Sequence, residues 1–315
     1  MNADYSRIFV TGASGFIGSE LCRQLQAAGH PLRLLQRAAP VASCLMDDPD
    51  VTIIQGDISN SDALRAGMEE AGLIFHLAGI AHTGGVNPDR LFQSHVEGTR
   101  NLLQQAVAAG VGRLVYISSS LAQEAQQRPG QASAYATAKL QAENMLLAAQ
   151  QAGQIEVVIL RPVNVYGVGM KGNIRGLMER ILKGSAPPLP RLSTRLSLVG
   201  VGDLCRAAII AGKSSRAAGK TYTVTDGQCY GINDIEAAIY RAAGRKKPGW
   251  HTPRVLVYAA ALARLGGLSP KAYHNLITDN LFSDEALRQD LGFSPTTTFY
   301  AELPAIIASL SSTPP

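Results

Sequence analysis

The 315-residue chain is poor in charge, with 17% Asp, Glu, Lys and Arg, and it holds only four cysteines. Cys22, Cys44, Cys205 and Cys229 form no C-x-x-C pair and match no zinc-ligand spacing. In a chain of this size they read as reduced, buried thiols of a cytoplasmic protein, and no metal site is expected. The net charge of +5 is small and scattered, and no run of Lys and Arg is interleaved with aromatic residues. That argues against a nucleic-acid partner and suits a small anionic ligand. Met1 to Ser6 is short and polar, without the apolar stretch of a signal peptide. The most apolar late segment, Val255 to Leu268, is interrupted by Arg264 and is too short to span a bilayer. It is expected to pack as a core or interface helix, with no stable membrane insertion and an interfacial membrane contact left open. No internal repeat or low-complexity segment is present. What the chain does have is apolar material: 46% hydrophobic residues, enough for a sizeable core.

That material is arranged as a strand–helix alternation in the first half. Short apolar runs at Ile8–Val10, Leu32–Leu35, Val51–Ile54, Leu73–Leu77, Leu114–Ile117 and Val157–Leu160 read as strands. Helical periodicity runs over Gly15–Ala28, where Gly29 supplies the cap, over Asp89–Ala109, which ends at Gly110, and over Tyr135–Gln151. The alternation implies right-handed crossovers and a parallel sheet covered on both faces, an α/β doubly wound fold. After Arg161 the rhythm breaks and Gly and Pro become dense. The reading is a dinucleotide-binding domain over 1–165 and a smaller substrate-binding lobe over 166–315. That lobe has helices near Ile174–Leu182, Asp234–Ala243 and Val255–Leu265. Tyr222-Thr223-Val224 is expected to return to the main sheet.

The strongest motif is Val10-Thr11-Gly12-Ala13-Ser14-Gly15-Phe16-Ile17-Gly18, which follows a strand and opens a helix. Gly12 permits the tight turn, Gly15 lets backbone approach a pyrophosphate, and Gly18 lets the helix pack on the strand. The positive end of the helix then faces the phosphates. Tyr135 and Lys139 form a second pattern, Y-x-x-x-K, with both side chains on one helix face. A free phenol, with a pKa near ~10, is a poor base at neutral pH, and a nearby ammonium favours its ionised form. Such a tyrosine can shuttle a proton while a nicotinamide moves a hydride. The pair follows Val115-Tyr116-Ile117-Ser118-Ser119-Ser120, a strand ending in serines that could hold a reacting oxygen.

On these motifs the chain resembles the extended branch of the short-chain dehydrogenase/reductase superfamily, which contains nucleotide-sugar epimerases, dehydratases and reductases. The resemblance implies a Rossmann-type fold and an NAD or NADP cofactor. It places Gly12, Ser14, Gly15, Phe16, Ile17 and Gly18 at the cofactor, with Asp57-Ile58 at its adenine, Leu77-Ala78-Gly79 along it, and Pro162 at its carboxamide. An acid usually ends the second strand and holds the ribose; here Gln36-Arg37 stands there, which leans toward tolerance of NADP. Stacking of Arg37 on adenine, or its simple solvation, are the alternatives. Register with the family picks Ser119 as the catalytic hydroxyl beside Tyr135 and Lys139, with Ser120 the runner-up and lining the substrate. On the substrate side it points to Asn164, to Arg195 for a diphosphate and to Asn280 at the sugar's 2-substituent, while His82 could line the pocket or be structural. Leu121 follows Ser120 where the 4,6-dehydratases of the family carry their Asp-Glu pair, so elimination lacks its acid and base. His95 stands before Val96-Glu97-Gly98-Thr99 where many members carry Asn. The implied activity is a 4-epimerase or 4-reductase of a UDP-linked (N-acetyl)hexosamine, the implied assembly a homodimer. Rival readings are a reductase of a non-nucleotide ketone, steroid- or flavonoid-like, and a non-catalytic dinucleotide-binding redox sensor.

Overall fold

The computed structural model describes residues 7–37, 48–80, 86–185, 187–264 and 269–311. In chain order the elements are β1 (Ile8–Thr11), α1 (Phe16–Ala27), β2 (Leu32–Gln36), β3 (Val51–Gln55), α2 (Ser61–Met68), β4 (Leu73–His76), α3 (Pro88–Phe92), a π-helical turn (Gln93–Glu97) and α4 (Gly98–Ala108). Then come β5 (Arg113–Ile117), α5 (Ser120–Gln127), α6 (Ala134–Gln151), β6 (Glu156–Pro162), β7 (Asn164–Tyr166), α7 (Asn173–Lys183), β8 (Arg195–Leu196) and β9 (Leu198–Gly200). The chain continues through α8 (Val201–Lys213), β10 (Thr221–Val224), β11 (Tyr230–Gly231), α9 (Ile232–Ala242), α10 (Arg254–Leu262), α11 (Pro270–Ile277), α12 (Glu285–Leu291) and α13 (Phe299–Ser311).

Seven strands form one parallel sheet in the order β10-β6-β5-β4-β1-β2-β3. This is the Rossmann-type doubly wound order with an added strand, and β10 joins it as expected for Tyr222–Val224. The central strands are buried on both faces, so Ile8-Phe9-Val10 and Leu114-Val115-Tyr116 read as continuous apolar runs rather than alternating ones. One face is filled by Phe9, Leu64, Leu102, Tyr116, Leu146 and Ile159. The order reverses between β1 and β4, and a crevice at the carboxyl ends of the strands is the expected ligand position there.

Two compact units result. The first comprises residues 1–163, 201–224 and 284–294, and the second 164–200, 225–283 and 295–315. The second holds two short ribbons, β7 parallel to β9 and β8 antiparallel to β11. Its buried polar centre is Asp226, which accepts hydrogen bonds from the hydroxyls of Tyr166 (3.0 Å) and Tyr230 (2.6 Å).

The structure departs from expectation in three places. The helix expected over Asp89–Ala109 runs through a π turn at Gln93–Glu97, where the Thr99 hydroxyl donates to the His95 carbonyl (2.6 Å) and Gly98 packs against Ile58, whose Cγ2 would lie 2.8 Å from any added Cβ. Cys22 and Cys205 are buried as expected, whereas Cys229 is exposed; Cys44 lies outside the described residues. The apolar helix near Val255 is not core packing: Val255, Leu256, Tyr258 and Leu262 are exposed, and 265–268 lie outside the described residues.

Helix α2 meets β1 with no room to spare. A Cβ on Gly67 would lie 2.2 Å from Cε2 of the fully buried Phe9. Gly67→Ala should therefore lower stability, because overpacking costs about 1–3 kcal/mol while the helix-propensity gain is at most about 1 kcal/mol. Thermal denaturation checks this, and an unchanged or raised midpoint would refute the contact.

Candidate functional site: a dinucleotide crevice with a buried lysine

The β1–α1 turn makes a cradle only glycine can line. Gly12 has φ +78°, and a Cβ there would lie 2.8 Å from the Ala78 nitrogen. A Cβ on Gly18 would lie 2.1 Å from the Gly12 carbonyl oxygen, so α1 can approach β1 only without a side chain there. Gly15 is the extended N-cap of α1, no side chain caps that end, and no acid occupies its first turn. The leading N–H groups of α1 therefore keep their capacity for an anion. Ser14 is exposed beside them, and Phe16 and Ile17 open the helix half-buried. At the end of β2, Gln36 is buried with its Oε1 unpartnered, followed by exposed Arg37. Asp57 follows β3, its carboxyl held below the ordinary range by hydrogen bonds from Ser59, with a smaller contribution from Arg37. Ile58 follows, half-buried, and its carbonyl accepts from Asn101 Nδ2 (2.8 Å). Leu77, Ala78 and Gly79 leave β4 beside the Gly12 turn. The features fit a dinucleotide: a Cβ-free cradle, bare helix N–H groups and an orphaned acceptor at the end of β2.

A polar network stiffens the floor of this crevice. His76 at the end of β4 is fully buried between Thr11 Oγ1 (2.7 Å from Nδ1) and Thr99 Oγ1 (3.0 Å from Nε2). Burial pushes its imidazole down to about 3. His95, turned inward by the π turn, has Nε2 3.1 Å from the Ile80 carbonyl, and its ring lies edge-on to that of Tyr135 with centroids 5.3 Å apart. Its Nδ1 has no partner, and its Cε1 would stand 2.4 Å from a Cβ on Gly79. Burial pushes His95 down to about 4, with the Lys139 charge a lesser cause.

Ser119, Tyr135 and Lys139 converge at the carboxyl end of β5. Ser119 is the N-cap of α5, its Oγ accepting from Leu121 N (3.2 Å). Ser120 is the buried first residue of α5. Tyr135 and Lys139 sit on one face of α6, whose start is capped by the Ser133 hydroxyl accepting from Ala136 N (3.2 Å). Lys139 is buried; its Nζ donates to the Ile117 carbonyl (2.8 Å) and the Tyr116 hydroxyl (3.1 Å) and lies 4.4 Å from the Tyr116 ring centroid. Burial pushes the amine down to about 7, offset in part by the Glu143 carboxylate. Glu143 is itself buried and clamped by the guanidinium of Arg161 (Nε–Oε1 3.0 Å). Burial raises the Tyr135 phenol above its ordinary value, partly offset by the nearby Ser119 hydroxyl. Tyr116 and His95 as supports of this group follow from no motif; the only sign of the latter is that it stands where relatives carry Asn.

Pro162 ends β6 in the same unit, and His82 lies outside the described residues. In the second unit Asn164 is exposed at the start of β7. Arg195 and Asn280 come together there: Asn280 N donates to the Arg195 carbonyl (2.9 Å) and Ser197 N to the Asn280 carbonyl (2.8 Å). The Arg195 guanidinium is half exposed and 3.5 Å from Asp279. Among the described residues no cluster of His, Cys, Asp or Glu could hold a metal ion.

The two buried histidines set a pH dependence. His95 and His76 stay neutral in the fold down to about 4 and about 3 respectively, whereas the unfolded chain takes up protons below 6.5. The unfolded state then binds more protons, so stability is full above pH 6.5 and falls as pH drops toward 4. Unfolding midpoints measured across this window should decline steadily, and His95→Asn should make the decline shallower. Parallel curves for the two proteins would refute the buried neutral state of His95.

Comparison with known proteins places this geometry. The profile of the NAD dependent epimerase/dehydratase family matches residues 8–225. The chain is 30% identical to a 3 beta-hydroxysteroid dehydrogenase/Delta 5-->4-isomerase of Mycobacterium tuberculosis, over 95% of this chain and 88% of that protein. It is 27% identical to a UDP-glucose 4-epimerase of Vibrio cholerae, over 78% of each. The crystal structure of a Thermus thermophilus UDP-glucose 4-epimerase complexed with NAD superimposes with a TM-score of 0.76 at 22% identity, covering 97% of this chain and 99% of that one. The chain belongs to the NAD dependent epimerase/dehydratase family, the extended branch of the short-chain dehydrogenase/reductase enzymes.

Proposed function

We propose that the chain is a nucleotide-sugar 4-epimerase or 4-reductase, acting on a UDP-linked hexosamine-type substrate with Tyr135 as its acid/base. The observation that carries the chemistry is that Tyr135 and the buried Lys139 share one face of α6, with Lys139 anchored to the Ile117 carbonyl at the end of β5 just before Ser119, in a dinucleotide crevice. The cofactor, when bound, supplies or accepts the hydride at the sugar carbon. Tyr135 takes the hydroxyl proton of that carbon during oxidation and returns it to the keto oxygen during reduction. Ser119 donates to the same oxygen and holds it in line with the phenol. Lys139, set beneath them, favours the ionised phenol when protonated and binds ribose hydroxyls. Gly12, Gly15 and the start of α1 hold the pyrophosphate, Gln36 and Arg37 the adenosine ribose, Asp57 and Ile58 the adenine, and Leu77 to Gly79 with Pro162 the nicotinamide end. An amide followed by exposed Arg37, in place of an acid, leaves room for a 2′-phosphate, so NADP is accepted beside NAD. The second unit serves as the substrate lobe, with Asn164, Arg195 and Asn280 toward the nucleotide sugar. A bidentate guanidinium on the β8 ribbon beside Asn280 suits a diphosphate.

A second reading, reduction or dehydrogenation of a non-nucleotide ketone or alcohol, draws support from the 30% identity to the mycobacterial hydroxysteroid enzyme. It uses the same Ser119, Tyr135 and Lys139. Thermal protection separates the two: UDP and UDP-N-acetylhexosamine should raise the melting midpoint, and a steroid-like ketone should not. Protection by the ketone alone would transfer the assignment to the second reading. Tyr135→Phe should keep dinucleotide binding and lose about 10²–10⁴-fold in turnover, the usual contribution of a positioned acid/base. A variant with full turnover would overturn the role of Tyr135.

A further inference from the structure

The net charge of the chain is not evenly spread. From 237 to 278 the sequence holds seven Lys or Arg and no Asp or Glu. The same stretch carries α10, whose solvent face is apolar. Val255, Tyr258, Ala259 and Leu262 recur at helical spacing and are exposed, at 68%, 47% and 57% for the three large ones, while Ala261 on the opposite side is buried. Leu256 (58%) flanks this stripe, and Trp250 (58%) precedes the helix. Tyr258 leans on Tyr273 of α11, with ring centroids 5.3 Å apart. Arg254 opens α10, Arg264 follows it and Lys246 precedes it in the chain; all three are exposed, and none of the ion pairs among the described residues uses them. A soluble surface normally turns the polar side of a helix outward; here the apolar side is outward and ringed by cations.

We infer that this face docks on an anionic lipid surface, with Trp250, Val255, Leu256 and Leu262 entering the headgroup boundary and Lys246, Arg254 and Arg264 meeting lipid phosphates. Exposed aliphatics, aromatics at the edge and cations outside any ion pair form the combination that binds such interfaces. A second copy of the chain is the wrong occupant by charge. A two-fold interface sets a patch against itself, which would bring a cation-rich stretch with no acid against its own image. A nucleic acid would meet the cations and leave the aliphatic stripe without a partner. The contact is peripheral: α10 has nine residues, a length of about 14 Å against a hydrocarbon core of about 30 Å. No described helix is long and apolar enough to cross a membrane. The inference is independent of the substrate reading above.

Trp250 is the only tryptophan in the chain and therefore its own reporter. The full-length protein is mixed with phosphatidylcholine vesicles containing about one-third phosphatidylglycerol, and with pure phosphatidylcholine vesicles. With the anionic vesicles the fluorescence should shift to the blue and the protein should float with lipid; with the neutral ones neither should occur. Raising salt to about 0.5 M should reverse the binding. Arg254→Glu with Arg264→Glu should lower partitioning by about fivefold or more for each charge. Val255→Ser with Leu262→Ser should abolish the spectral shift while leaving the circular dichroism spectrum unchanged. Three results would overturn the inference: no shift with anionic vesicles, equal binding to both vesicle types, or a concentration-dependent dimer dispersed by Val255→Ser with Leu262→Ser.

Discussion

The arrangement at the strand ends rests on one buried amine. Lys139 is held under β5 by the Ile117 carbonyl and the Tyr116 hydroxyl, and it lies over the Tyr116 ring. An ammonium taken out of water is unfavourable unless something compensates it. The compensation comes from one turn further along α6, where Glu143 is buried and clamped by Arg161 of β6. The Arg161–Glu143 pair thus ties α6 to β6, one turn from Lys139. Tyr135, one turn before Lys139 on the same helix face, is carried into place with it. The balance leaves the amine at about 7, between its charged and neutral forms at neutral pH.

The floor of the crevice is built on a similar principle with neutral groups. Thr11, His76 and Thr99 come from β1, β4 and α4 and satisfy one another within the core. The Thr99 hydroxyl also bonds back to the His95 carbonyl and fixes the π turn. That distortion rotates His95 inward, against Tyr135 and over Gly79. A regular helix through the same residues would carry a different side chain to that spot.

Much of the fold was legible because its strands are buried on both faces. Continuous apolar runs bounded by glycine at Gly12, Gly29, Gly110 and Gly153 mark the strand and helix ends with little ambiguity. The G-x-x-G-x-x-G turn was readable for the same steric reason, since the Cβ-free approaches at Gly12 and Gly18 allow no other residue. The helices after residue 200 were less legible, because their faces are set by what they pack on. For α10 the sequence left core and interface packing open, and its apolar side is exposed rather than in the core. Hydropathy alone cannot distinguish a helix whose apolar face turns inward from one whose apolar face turns out.

The sequence by itself determined the parallel α/β architecture, the dinucleotide cradle and the pairing of Tyr135 with Lys139 on one helix face. Each follows from local sterics or a fixed helical period, which need no distant partner. Tertiary structure alone decided that Lys139 lies over the Tyr116 ring, that Arg161 clamps the buried Glu143, and that His95 stands edge-on to Tyr135. It alone brought Asn280 beside Arg195 across more than eighty residues of chain. These are contacts between groups remote in sequence. Their energies depend on burial and mutual geometry, which no spacing along a chain encodes.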